Sequence, residues 1–269
     1  MLIDTHCHLN DEKLLCDVDR IVDDFEKDNL ESAICVGYDM PSSELAVTLA
    51  NKYDKVYAAV GVHPHDADTL DDDACQRLLE LANDGKVVGL GEIGLDYYYD
   101  LSEREVQKSA FAKQIELANQ ANLPVILHVR DAYEDTRKIL FDMRNYIQNG
   151  LLLHCYSGSS EYVKIFDKLD AYYAFGGAIT FKNAKHNLES LAVVPKDRLH
   201  IGSPNPQKTI SLYFDKSYIE MSSTSSSKVG SFRSQRSFPL TPSLMLRMQN
   251  SQLFGQRLVM LRYKLSPNS

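Results

Sequence analysis

The chain has 269 residues, 44% of them hydrophobic, and a formal net charge of −8, which is the profile of a globular protein with one large core or two small ones. It contains no run of about 18 apolar residues, which argues against a transmembrane helix, and the start Met1-Leu2-Ile3-Asp4-Thr5-His6-Cys7-His8 lacks the basic and apolar regions of a signal peptide. Five scattered cysteines without a Cys-x-x-Cys pair argue against a zinc knuckle and for reduced thiols in a cytoplasmic protein.

Short apolar runs alternate with helix-like stretches through the first 202 residues. The runs are Leu2–Asp4, Ala33–Gly37, Tyr57–Gly61, Val87–Glu92, Val125–His128, Leu151–His154, Tyr173–Gly177 and Leu199–Gly202. Most are apolar on consecutive positions, as expected of parallel strands covered on both faces. Between them, Val18, Ile21, Val22 and Phe25 make one helical face, Phe111, Ile115, Leu117 and Ala118 belong to a second, and Tyr162, Ile165, Phe166 and Leu169 form a third. Eight strands alternating with helices predict an α/β fold, a (β/α)8 TIM-like barrel over residues 1–202. A doubly wound open sheet is the rival, but it does not by itself explain polar residues at so many strand ends.

Residues 203–269 differ in character. They hold nine Lys or Arg against only Asp215 and Glu220, a charge of +7, which leaves −15 on the first 202 residues. A run of Ser and Thr spans 222–227. Such a segment buries little apolar surface, and its composition is that of an atypical, disorder-prone tail. The acidic body repels phosphates at long range, so a nucleic-acid substrate would have to be held locally, by metal and a few basic groups.

Candidate chemistry gathers at strand ends. In His6-Cys7-His8, the two-residue period of a strand puts both imidazoles on one face and the thiol on the other. Glu92 closes the fourth run, His128 the fifth and His154 the sixth. Singly, each has an ordinary explanation as a surface pair, a strand-end acid or a core histidine. Together they place five potential metal ligands at one end of four strands, the C-terminal face where barrel active sites sit. The arrangement suits two divalent cations with Glu92 between them as bridging and catalytic carboxylate. Cations so placed activate water and stabilise a phosphoester under attack. Four imidazoles with a carboxylate suit zinc or manganese better than magnesium, although all three remain candidates. Arg130 falls on the face of His128 if that strand continues and is a candidate bidentate phosphate ligand. His63, in Gly61-Val62-His63-Pro64-His65, is a second substrate contact, and His65 a weaker third.

These segments resemble the TatD family of metal-dependent deoxyribonucleases, among the amidohydrolase-like barrels. The matching stretches are Ile3–His8, Gly61–His65, Gly89–Tyr97, Leu123–Arg130 and His154–Gly158, in the family's order and spacing. The resemblance implies a TIM-like barrel, two divalent cations and hydrolysis of DNA phosphodiesters. It puts His6 and His8 on one ion, His128 and His154 on the other, and Glu92 between. It then breaks. Where the family has Glu-Thr-Asp, whose Asp is a metal ligand and base, this chain has Gly202-Ser203-Pro204, and proline supplies neither. The family's C-terminal helix and its Glu-Asn-Ala-Lys signature are also missing, yet Leu246-Arg247-Met248-Gln249-Asn250 can be encoded so that a shifted frame reads Glu-Asn-Ala-Lys. The expectation is therefore a TatD-like nuclease acting on DNA, impaired by Pro204, with a tail translated out of frame after about residue 200. Two alternatives stay open: a non-catalytic pseudo-enzyme or truncated product that binds metal, and a hydrolase of an amide or lactone. Oligomeric state is not legible.

Overall fold

The computed structural model describes residues 2–181 and 183–202; the Ser-rich segment, Pro204 and the shifted-frame signature lie outside the described residues. Eight strands form: β1 (Leu2–Cys7), β2 (Leu30–Val36), β3 (Val56–Val60), β4 (Val87–Asp96), β5 (Val125–Arg130), β6 (Leu151–Leu153), β7 (Tyr172–Phe175) and β8 (Leu199–Ile201). They make one parallel sheet in the order β1 to β8. A doubly wound sheet would reverse direction part-way, so that rival is excluded. The first and last strands meet where Thr5 Oγ1 donates to the Ile201 carbonyl at 2.8 Å, which brings the barrel nearly to closure.

Among the described residues, seven α-helices occupy the crossovers: α1 (Val18–Asp23), α2 (Met40–Lys52), α3 (Asp72–Ala82), α4 (Arg104–Gln120), α5 (Tyr133–Asp142), α6 (Ser160–Phe166) and α7 (Lys185–Leu191). Local chemistry sets the starts of two of them. At α2 the Asp39 carboxylate accepts from Ser42 N at 2.8 Å while Ser42 Oγ accepts from Asp39 N at 2.9 Å, a reciprocal capping box. Asp71 caps α3 in the same sense, accepting from Ala74 N at 2.8 Å. The expected faces are buried at Val18 of α1 and at Phe25 just beyond its end, and at Phe111, Ile115, Leu117 and Ala118 of α4.

Two cores explain the consecutive apolar positions. Ile34, Val36, Ala59, Val88, Ile126, Leu152 and Ala174 fill the barrel's interior, with Tyr57 and Tyr172 beside them. Their strand neighbours, including Ala33, Cys35, Ala58, Val87, Val125, Leu127, Leu151 and Tyr173, belong to the separate core under the helices. Alternate residues serve alternate cores, so no polar position is needed.

Two strands are longer than expected. β4 runs to Asp96 and β5 to Arg130, so neither Glu92 nor His128 closes its strand. Their ladder slips register between Leu90 and Ile93, and this irregularity carries Glu92. A slip of this kind re-aims a side chain without ending the strand, which an apolar run alone does not reveal.

Candidate metal centre

β1 delivers His6 and His8 to the mouth of the barrel. Cys7 between them turns outward and donates to the Ile34 carbonyl, so the imidazoles share a face and their Nε2 atoms stand 3.3 Å apart. β4 presses against β5 through glycine. A Cβ on Gly91 would lie 2.4 Å from Ile126 O, and one on Gly94, whose φ is +140°, would lie 2.0 Å from His128 O. Only glycine allows that approach, and it carries Glu92 to the imidazoles.

The Glu92 carboxylate sits at the centre of the group. Its Oε1 is 3.5 Å from His8 Nε2. Its Oε2 is 2.7 Å from His154 Nε2, 3.6 Å from His128 Nδ1 and 3.7 Å from His6 Nε2. His154 follows β6 directly and stacks on His6, with centroids 3.9 Å apart and planes at 7°. His128 Nδ1 and His154 Nε2 approach to 3.2 Å. His6, His8 and Glu92 form one group whose ligand atoms all lie within 4.8 Å of one another; His63, Glu92 and His128 form another. Glu92 belongs to both.

The donor set fits a cation. The Val36 carbonyl lies 2.9 Å from His8 Nδ1, which places that ring's proton on Nδ1 and leaves the Nε2 lone pair facing Glu92. Asp96 does the same for the other side: its Oδ2 is 3.1 Å from His128 Nε2, so the neutral ring turns its Nδ1 lone pair inward. Ligands of a tetrahedral zinc ion stand about 3.3–3.4 Å apart, given Zn–N bonds of about 2.0–2.1 Å. The two imidazole pairs match that spacing. His6 Nδ1 and His154 Nδ1 are buried with no hydrogen-bond partner among the described residues, a cost tolerated where the opposite nitrogen has a task.

Electrostatics follow from burial and crowding. Burial and the neighbouring His154 lower the His6 pKa well below the ordinary value. Burial also lowers His154 and takes His63 down to about 3, so these rings are neutral. Burial opposes ionisation of Glu92, but His154, His6 and His128 hold its carboxyl well below the usual range. His128 behaves oppositely: burial lowers it, yet hydrogen bonds from its ring to Asp96 and Glu92 raise it to about 9. A cation arriving at this cluster must displace that proton.

The sequence profile described as TatD related DNase matches residues 3–211. The chain belongs to the TatD-related DNase family. The metal-dependent hydrolase YabD of Bacillus subtilis is 40% identical over 206 residues, covering 77% of this chain and 80% of that protein. The 3'-5' ssDNA/RNA exonuclease TatD of Cronobacter sakazakii is 32% identical over 178 residues, 66% of this chain and 67% of that one. Among solved structures, the TatD homologue YJJV of Escherichia coli superposes with a TM-score of 0.74 at 24% identity, covering 99% of this chain and 98% of that chain. As a TatD-related protein, this chain is a metal-dependent hydrolase built on a TIM-like barrel, and its nearly closed barrel and its cluster of His and Glu side chains agree.

The structure brings together His6, His8, Glu92, His128, His154 and His63. His63 is buried, and its ring centroid is 4.3 Å from that of His128. Arg130 is not part of the cluster: its guanidinium lies over the rings of Tyr98 and Tyr99, at 3.8 and 4.7 Å. Asp96 was missed as a functional position. Its Oδ2 is shared by His128 Nε2 and by His65 Nε2 at 3.0 Å, while Oδ1 accepts from Tyr98 N and Tyr99 N at 3.0 and 2.9 Å. Two glutamines of α4, seven residues apart and so on one face, were missed as well. Gln114 accepts from Val62 N at 2.8 Å and donates to Val62 O at 2.9 Å. Gln107 accepts from Asp96 N and donates to Ser102 O. One helix thus clamps the loop of His63 and the end of β4. An amide at a buried helical position was the available signal, because burial obliges it to find partners.

Proposed function

We propose that the chain hydrolyses phosphodiester bonds of DNA, using two divalent cations of zinc, manganese or magnesium type. His6 and His8 would hold one and His128 and His154 the other, with Glu92 available to both. The observation that carries this reading is Glu92, whose Oε1 lies 3.5 Å from His8 and whose Oε2 faces His154, His128 and His6. A bidentate anion flanked by imidazoles on both sides suits a pair of cations better than one. Bound divalent cations bring the pKa of water towards about 7 and stabilise both attacking and leaving oxygens.

The remaining side chains hold the substrate. His63 Nδ1 accepts from His65 N at 3.1 Å, so a neutral ring carries its proton on Nε2 and donates there to a phosphate oxygen. Arg130 has no ion pair among the described residues, and its N–H edges are free for a phosphate. The Cronobacter relative, an exonuclease of single-stranded DNA and RNA by its name, supports a nucleic-acid substrate. Five free cysteines support a reducing, cytoplasmic setting, and no helix among the described residues is long and apolar enough to cross a membrane.

Pro204 favours a second reading, in which the chain binds metal and turns over slowly or not at all. The test is the full chain, loaded with zinc or manganese, on a single-stranded DNA oligonucleotide and, in parallel, on a simple ester and a lactone. Release of nucleotides that Glu92→Gln abolishes supports the nuclease; turnover confined to the lactone or ester overturns it. Metal binding without turnover of any substrate supports the second reading.

A further inference from the structure

We propose that Tyr98 and Tyr99 form a stacking platform for an unpaired nucleobase at the mouth of the barrel, with Arg130 gripping that nucleotide's phosphate. The identity of the ligand rests on the phosphodiesterase reading; the platform itself rests on the arrangement of these side chains.

Three consecutive tyrosines follow Asp96, and they are used differently. Tyr97 is tied down by its hydroxyl, which donates to Asp135 at 2.9 Å. Tyr98 and Tyr99 leave 57% and 53% of their surface open. They meet edge to face at 4.9 Å, so the two rings offer surfaces in different directions. Exposed as they are, they are not loose. Both backbone N–H groups are held by Asp96 Oδ1, and the other oxygen of the same carboxylate holds His128. Tyr99 also meets His65 edge to face at 5.4 Å. The platform is therefore fixed to the metal centre by one buried side chain.

Arg130 completes the subsite. Its guanidinium lies against Tyr98 and Tyr99 and makes no ion pair among the described residues. Stacking occupies the face of a guanidinium and leaves its N–H edges for a phosphate. Aromatic rings beside a cation are the usual means of holding single strands, because every base has a π-face. An acidic body, −15 over the first 202 residues, cannot draw in a polyanion by long-range charge, so local stacking has to supply much of the grip. Bases inside a duplex are already stacked on one another, so the platform selects single strands and frayed ends.

The test is equilibrium binding of the full chain, in manganese, to a single-stranded oligonucleotide with phosphorothioate linkages and 2-aminopurine near its 3' end. A matched strand of base-free deoxyribose phosphates is the control. The expected result is that Tyr98→Ala and Tyr99→Ala each weaken binding of the base-containing strand by about 5- to 100-fold and weaken that of the base-free strand, which senses only the support of Arg130, far less. Tyr98→Trp retains affinity and quenches the 2-aminopurine. The proposal is overturned if both alanine variants bind the base-containing strand within about twofold of the parent, if both strands lose affinity equally, or if the parent shows no preference for bases. Failure of the nuclease reading looks different: the parent stacks the base but releases no nucleotide from an ordinary phosphodiester strand.

Discussion

Asp96 Oδ2 lies 3.1 Å from His128 Nε2, and this one contact decides which nitrogen of His128 faces Glu92. A carboxylate behind a metal-binding imidazole fixes the ring and raises its basicity. Removing it frees the ring to rotate. Asp96→Asn should weaken binding of zinc or manganese by about 10- to 100-fold, measured by competition with a chromophoric chelator. An unchanged affinity would show that Asp96 only secures the Tyr98–Tyr99 turn.

Glu92 is common to both candidate ligand groups, so its loss should be felt by every bound cation. A ligand present at about 100 times its Kd stabilises the folded state by about 2.7 kcal/mol. The parent chain should therefore melt several degrees higher with manganese or zinc than with chelator, and Glu92→Gln should remove most of that difference. A full metal-dependent shift in Glu92→Gln would mean that the imidazoles alone hold the cation.

The metal-free protein should be acid-labile in a defined window. The folded pKa values of His6, His63 and His154 are depressed, while their unfolded values are about 6.5. Below about 6.5 the unfolded chain binds more protons, so stability falls as pH drops from there towards the folded value, about 3 for His63. Glu92 acts in the same direction at lower pH, its contribution being present above about 4.3 and lost below. His128 runs the other way: raised to about 9, it stabilises fully below about 6.5 and loses that contribution as pH rises through 9. Melting temperatures in chelator should peak near neutrality and fall on both sides. A melting point that rises from pH 7 to pH 5 contradicts the buried neutral histidines.

We predict that Pro204→Asp raises nuclease activity, by up to about 10²–10⁴-fold if the missing carboxylate acts as a general base. The single substitution is the cleaner test. A Cβ on Gly202 would stand 3.1 Å from His6 Cβ, so restoring a glutamate there disturbs the very ligand under study. The gene's nucleotide sequence offers an independent check: a family-like signature in a shifted frame after about residue 200 supports out-of-frame translation, and its absence from both other frames refutes it.

Gln114 makes two hydrogen bonds to the backbone of Val62, itself buried. Gln114→Leu keeps the shape but leaves a buried N–H and C=O unpaired, at about 1–3 kcal/mol each. Denaturant unfolding should register a loss on the order of 2–6 kcal/mol. A loss below about 0.5 kcal/mol, in the range of an ordinary surface change, would show that water replaces the amide.

The amino-acid sequence by itself determined the barrel and five of the side chains at its mouth. Apolar runs such as Val125–Leu127 and Leu151–Leu153 need cover on both faces, and a histidine or glutamate among them is conspicuous because burying it alone is costly. Period two alone puts His6 and His8 together. What only the tertiary structure decided is how far each strand runs and what stands behind each ligand. Nothing in the sequence around Asp96 assigns it a partner; only the pairing of β4 with β5, slipped at Gly91–Glu92, sets it against His128, 32 residues away. Arg130, expected at the cluster, is drawn onto Tyr98 and Tyr99, and Gln107 and Gln114 act on the end of β4 and on the loop of His63, outside their own helix. Hydrophobic patterning is a local signal with a fixed period, whereas a hydrogen bond between distant segments has no period and exists only once the chain has closed around it.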